Sequence, residues 1–287
     1  MACAPDGGVI VQTMRAWRIG GLVLATGCSF QIQRTVGDAG TDDASDARID
    51  ARPDMTAPAR ISTNLIALYN FDDGSGSTTV ADTAGVAPPQ NLDVVDPASF
   101  MWGASQLTVT APGDIGSSAG AYRLITAAKA SDQVTVEAWV TPANATQTAM
   151  TAGQPARIFS LTVRNAGQHL IGLGQDGPTW VAQVRTGALG LDGHGGTPTL
   201  RNGTVTLTPT HLVVTSTLTA RTFYVNGQKV SDDKGGLLDA WKDTFIVELA
   251  GDPVQRNTWL GTMHLIAMYD VALDDAQVMN NFLAGVQ

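Results

Sequence analysis

No stretch of the chain constrains its fold more than Thr222-Phe-Tyr-Val-Asn226-Gly227-Gln-Lys-Val230. Asn-Gly supplies the two positive φ values of a type I′ turn, so the flanking residues are predicted to pair as an antiparallel hairpin. Val134, Val136, Ala138 and Val140 alternate with Thr135, Glu137 and Trp139, the period-two pattern of a half-buried strand. Leu65–Phe71 reads as a strand that stops at the turn cluster Asp72-Asp73-Gly74. Arg157–Val163, His169–Leu173, Trp180–Arg185, Leu212–Ser216, Phe245–Leu249 and Leu260–Tyr269 read the same way. One helix is predicted, at the C-terminus. Asp274 caps it, Gln277 completes a capping box, and Val278, Phe282 and Leu283 form its apolar stripe. Many short strands and one late helix argue for an all-β, two-sheet antiparallel sandwich or jelly roll.

Nothing covalent holds such a sandwich together here. The only cysteines are Cys3 and Cys28, so the chain beyond them has neither disulfides nor a thiolate zinc site, and its stability must come from core burial. At 287 residues it is long enough for one large domain. A net charge of -9 leaves no basic surface to neutralise phosphates, which excludes nucleic acid, or an anionic membrane, as a partner held through a cationic patch.

The first 28 residues read as an address. From Met14 the sequence is Met-Arg-Ala-Trp-Arg, then an apolar run from Ile19 to Thr26, then Gly27-Cys28-Ser29. A basic start, a short apolar stretch and a small residue before the cut make a secretory signal, and the run is too short to span a bilayer. Ala25-Thr26-Gly27-Cys28 resembles the bacterial lipobox, in which the cysteine is acylated and becomes the mature N-terminus, although Ala25 stands where leucine is commonest. That resemblance implies lipidation at Cys28 and, with Ser29 in place of an aspartate, an exported lipoprotein of the outer membrane or cell surface, touching the membrane through its lipid anchor alone. The other reading is an ordinary cleavable signal and a secreted or periplasmic protein. Residues 1–13 read as an upstream extension of the signal region 1–28. Residues 29–60 carry Asp38, Asp42, Asp43, Asp46, Asp50 and Asp54 with few large apolar groups and are expected to form a disordered acidic tether, ahead of a folded domain over 61–287.

Four segments carry a family resemblance. LIALYNFDDGSGSTTVADTAG (Leu65–Gly85) resembles the first strand and loop of bacterial laminin-G-like, or concanavalin A-like, jelly rolls. VTVEAWVTP (Val134–Pro142) is similar to that family's central strand, HLVVTSTLTARTFYVNGQKV (His211–Val230) to its late hairpin, and YDVALDDAQV (Tyr269–Val278) to its closing helix. The resemblance implies a rim calcium site. Asp82 matches the family's loop aspartate, with Asp72 or Asp73 nearby, while His264 stands where relatives often have an acidic ligand. The alternative for these aspartates is a turn role, bonding their own backbone. His211 falls where the family commonly has a strand histidine with a packing role.

The chain offers little for catalysis. Glucanases of this fold need two carboxylates roughly 5–10 Å apart, and the only glutamates, Glu137 and Glu248, are far apart in sequence. Gly116-Ser117-Ser118-Ala119-Gly120 matches Gly-x-Ser-x-Gly, but a nucleophile elbow needs a preceding strand, a following helix and a parallel sheet, none of which is indicated. His169, His194, His211 and His264 show no i, i+4 pairing. Planar rings suit sugar stacking, and Trp102, Trp180, Trp241 and Trp259 are the candidates, core packing being the alternative for each. The sequence therefore reads as a non-catalytic surface-exposed binding or adhesion module recognising a glycan or an extracellular protein. A divergent glycan-active enzyme using Asp176 and Asp192, or a purely structural surface spacer, are the alternatives.

Overall fold

Asn226 and Gly227 adopt φ values of 51° and 73°, and the residues around them pair as the turn chemistry requires. This hairpin sits in a computed structural model that describes residues 58–150, 154–163, 168–187, 199–251 and 257–286. In chain order the elements are β1 (Leu65–Tyr69), β2 (Thr79–Val80), β3 (Leu92–Val94), β4 (Phe100–Gly103), β5 (Gln106–Val109), β6 (Ile115–Gly116), α1 (Tyr122–Ser131), β7 (Val134–Pro142) and β8 (Ala156–Thr162). They continue as β9 (His169–Asp176), β10 (Thr179–Val184), β11 (Thr199–Thr204), β12 (Thr210–Ser216), β13 (Ala220–Val225), β14 (Gln228–Lys234), β15 (Ile246–Leu249), β16 (Gly261–Tyr269) and α2 (Asp275–Ala284). Sheet A runs β14-β13-β12-β7-β16-β5-β4, with β1 also on β16, and sheet B runs β11-β10-β9-β8-β15-β6-β3-β2. The pairings within both sheets are antiparallel. The expected two-sheet sandwich is what the chain forms.

The main core lies between the sheets. Val134, Val136, Ala138 and Val140 of β7 face Phe159, Leu161, Leu173 and Val247 of sheet B within one buried cluster. The other face of β7 was expected to meet solvent, and it does not. Trp139, Val213, Tyr224, Leu265, Ala267 and Tyr269 form a second cluster with Val278 and Phe282 of α2, because the helix lies on the outer face of sheet A. Asp274 caps α2 through the Gln277 N–H, and the Gln277 side chain completes the box. Trp139 stacks on Phe282 with ring centroids 5.8 Å apart. The Asn226-Gly227 turn tucks under the same helix, where a Cβ on Gly227 would lie 3.0 Å from Phe282 Cβ.

A buried carboxylate fastens this third layer. Glu137 Oε1 accepts from His211 Nε2 at 2.9 Å and from Arg60 Nη1, while Oε2 accepts from Asn281 Nδ2 at 2.8 Å and Tyr269 Oη at 3.2 Å. Asn281 Oδ1 in turn accepts the Ile61 N–H, and Arg60 Nη2 donates to the Gly285 carbonyl. His211 is thus a packed structural histidine, as the family pattern implied. Arg60 was assigned to the tether, yet its guanidinium belongs to the folded body, since a buried glutamate needs a cation close by.

Candidate functional site

An open concavity runs between α1 and the loop Ala87–Gln90, with a volume of about 630 Å³. Leu124, Ile125 and Ala128 bury one face of α1, and Lys129 in its last turn donates to the Trp241 carbonyl at 2.9 Å. The opposite face carries Tyr122, Thr126 and Ala130 at helical spacing, with Arg123 and Ala127 on the next row. Pro88 and Pro89 form the facing wall, and Ala119 and Gly120 close one end. Tyr122 is 61% exposed, so its ring is presented to solvent at the mouth of the groove.

The two walls are fixed to each other by one ion pair. Arg123 Nη2 donates to Asp82 Oδ2 at 2.8 Å, Nη1 to the Ile66 carbonyl at 2.5 Å, and Nε to the Pro88 carbonyl at 2.8 Å. Asp82 also accepts the backbone N–H groups of Leu68, Ala84 and Gln90. Tyr69 Oη donates to the Gln90 carbonyl at 2.8 Å; burial first, and the Asp82 charge second, hold this phenol well above its usual 10, so it stays a donor. These bonds brace the two walls of the groove against each other.

The three aspartates named for calcium all have partners within the protein. The Asp82 carboxylate, 1% exposed, already takes three N–H groups and a guanidinium, which leaves no lone pair for a hard cation and places a positive charge where one would sit. Asp72 accepts from the Asn70 side-chain amide, and Asp73 from the Ala81 N–H eight residues on. Among the described residues no three His, Cys, Asp or Glu side chains converge as metal ligands. His264 instead meets Thr141 Oγ1 at 2.9 Å.

The tryptophan expectation is corrected. Trp180, Trp241 and Trp259 are 0–1% exposed in the inter-sheet core, where their large rings fill volume no sugar can reach. Trp259 donates to Gln175 and Trp241 to the Arg185 carbonyl. Trp102 is half-buried against the core and donates to the Ser77 carbonyl. Among the described residues the exposed aromatic is Tyr122, on a helix the sequence does not announce.

The outer face of sheet B is different in kind. Gln183, Gly172, Ser160 and Glu248 stand opposite one another across β10, β9, β8 and β15, with Arg157 nearby, and these side chains are buried. Arg157 donates to Gln154 Oε1 at 2.7 Å and contacts His169 Nδ1 at 3.0 Å. Burial lowers its pKa to about 10 against the Glu248 charge, which raises it.

A family profile matches residues 116–279, more than half of the chain. The chain belongs to the concanavalin A-like lectin/glucanases superfamily. No curated protein matches it. Among solved structures, Trypanosoma rangeli sialidase superposes with a TM-score of 0.54 at 16% identity, covering 77% of this chain and 33% of the sialidase. The botulinum neurotoxin type G receptor binding domain gives 0.53 at 12% identity, covering 77% and 51%. The receptor-binding domain of the botulinum C/D mosaic serotype gives 0.54 at 13%, covering 78% and 52%. The chain thus spans a third to a half of the length of these proteins, and the likeness is one of fold.

Most glycoside hydrolysis uses a pair of carboxylates, and the fold separates the two glutamates. Glu137 projects from the outer face of sheet A and Glu248 from the outer face of sheet B, so both sheets, packed about 10 Å apart, lie between them. Asp176 is engaged by Arg201 and by Thr148 Oγ1, and Asp192 lies outside the described residues, as do His194 and Cys28. Gly116–Gly120 does follow a strand and precede a helix, contrary to expectation. The sheet, however, is antiparallel at β6, and Ser118 is exposed with none of the described histidines bonded to it.

Proposed function

We propose that this protein is a non-catalytic recognition module that binds a glycan or an extracellular protein through the α1 groove. One observation carries the reading: an open, rigid groove with an exposed aromatic at its mouth, on a fold whose two glutamates are held apart. Concave sites that are mostly apolar with a few polar groups are the usual form of ligand pockets. The likeness in fold to toxin receptor-binding domains is consistent with recognition, though it transfers no ligand. The test is a glycan array combined with pull-down from surface extracts, using full-length wild type and Ala130→Trp, which places a large ring in the groove. Binding that is lost in the variant supports the reading. Binding that persists would move recognition elsewhere on the domain.

Export and anchoring belong to the same proposal. Cys28 follows a basic start, an apolar run and a small residue, and lipidation gives this cysteine a role once cleavage before it leaves no other cysteine to pair with. Expression with a labelled fatty acid, followed by fractionation of wild type and Cys28→Ser, checks it: label on wild type alone is expected, and unlabelled soluble protein in both cases would leave an ordinary secretory signal.

A further inference from the structure

Another concavity lies where the turn between β12 and β13 meets the chain that follows β14. Its walls are set by backbone contacts. Gly236 donates to the Thr217 carbonyl at 3.1 Å, Gly187 donates to the Leu237 carbonyl at 2.9 Å, and Gly235 packs so closely that a Cβ there would lie 2.1 Å from the Thr217 carbonyl oxygen. Asp132 Oδ1 accepts the Leu238 N–H, and Leu238 and Trp241 are buried, which pins the loop from behind. The space enclosed is about 400 Å³, within the range of small-molecule sites. It shares no residue with the α1 groove, so what binds here is independent of that reading.

Lys234 and Asp239 both line this pocket, and among the described residues neither charge has a partner, nor do the two pair with each other. Along β14 the acidic side chains are already engaged, Asp233 by Arg221 and Asp232 by Lys229, so Lys234 is left without a carboxylate. The Asp239 carboxylate rests against Gly187, where a Cβ would come within 2.7 Å of Oδ1. Leu218 and Leu237 line the same space and are 53% and 46% exposed. We propose that this pocket binds a free α-amino acid with an apolar side chain, its carboxylate on Lys234, its ammonium on Asp239 and its side chain against Leu218 and Leu237. A ligand with one charge would satisfy one of the two side chains and be repelled by the other. A free amino acid carries both charges on one carbon, whereas the backbone inside a peptide carries neither. A zwitterion with a quaternary ammonium has no N–H to give Asp239 and is held best by aromatic faces, and no aromatic ring lines this pocket.

The experiment is a heteronuclear NMR titration of the full-length protein with L-leucine as probe. Isocaproate, which lacks the ammonium, and isoamylamine, which lacks the carboxylate, are the comparators. Leucine should shift the amide signals of Gly187, Gly235, Gly236 and Leu237, and each comparator should bind about fivefold more weakly, the scale of one exposed charge pair. Lys234→Met should weaken leucine about fivefold and leave isoamylamine unchanged, and Asp239→Asn should weaken leucine equally and leave isocaproate unchanged. Gly187→Ala places its Cβ 2.7 Å from Asp239 Oδ1 and should reproduce the Asp239→Asn pattern by pushing the carboxylate aside. Lys234 and Asp239 are exposed, so unchanged melting temperatures check that their variants are folded, and the three probes on wild type decide the matter without them. No shift at these amides up to about 10 mM leucine overturns the proposal, as do equal affinities for all three probes or leucine binding indifferent to both charge substitutions.

Discussion

Replacing Glu137 by glutamine should destabilise the fold by about 3 kcal/mol at neutral pH, and the structure supplies the magnitude. Burial alone would raise the carboxyl pKa, but the His211 hydrogen bond and the charges of His211 and Arg60 overcome it and hold the group at about 2, against an ordinary 4.5. A lowering of that size corresponds to about 3 kcal/mol in favour of the ionised form in the fold. The sign follows from linkage: because the folded pKa is depressed, this contribution is fully present above pH 4.5 and is lost as pH falls from there towards 2. Glutamine matches the shape but turns an N–H₂ towards donors and leaves Arg60 without its counter-charge, a change in the range of about 3–5 kcal/mol for breaking buried pairs. With total stabilities of about 5–15 kcal/mol, this is a large share. Denaturant titration of full-length wild type and Glu137→Gln, followed by tryptophan fluorescence at pH 7 and pH 3, measures it. The gap should narrow at pH 3. A variant within about 0.5 kcal/mol of wild type at pH 7, or a gap that does not change with pH, would refute the assignment of Glu137 as the ionised centre of this layer.

Gly227→Val should cost about 1–3 kcal/mol from its φ of 73° alone, and more because the new Cβ meets Phe282 at 3.0 Å and Met279 at 3.1 Å; a melting temperature equal to wild type would show that the turn does not bear on α2. Asp82→Ala removes the acceptor for three N–H groups and the partner of Arg123, and a loss of about 3 kcal/mol is expected by denaturation. The wild-type melting temperature should be the same in millimolar calcium and in chelator, and a calcium-dependent rise would restore a metal role to this loop. Asp274→Ala should lose about 1 kcal/mol and speed amide exchange in the first turn of α2, whereas unchanged exchange would mean the cap is dispensable.

What was legible in the sequence was local, and what was not depended on partners distant in the chain. Asn226-Gly227 and Asp274 with Gln277 announce their own backbone geometry, and alternation in Val134–Val140 gives the strand without reference to neighbours. Alternation could not say that Thr135, Glu137 and Trp139 would also be buried, because the cover comes from α2, more than 130 residues further on. The same limit governs the groove. α1 has a single short apolar stripe of Leu124, Ile125 and Ala128, no side-chain N-cap, and glycine and serine before it, so its signal is weak. Without that helix Tyr122 has no visible place, and the residues that stand out are tryptophans, whose size makes them better core residues than platforms. For Asp82 the family resemblance implies calcium and its loop allows a turn role, but neither points to Arg123, its partner 41 positions later. A lone aspartate in a Gly-rich loop is compatible with a metal or with a cation from the protein, and only the fold chooses between them. Here the choice also makes the site: the guanidinium that pairs with Asp82 is the group that braces the Pro88 wall against the helix bearing Tyr122.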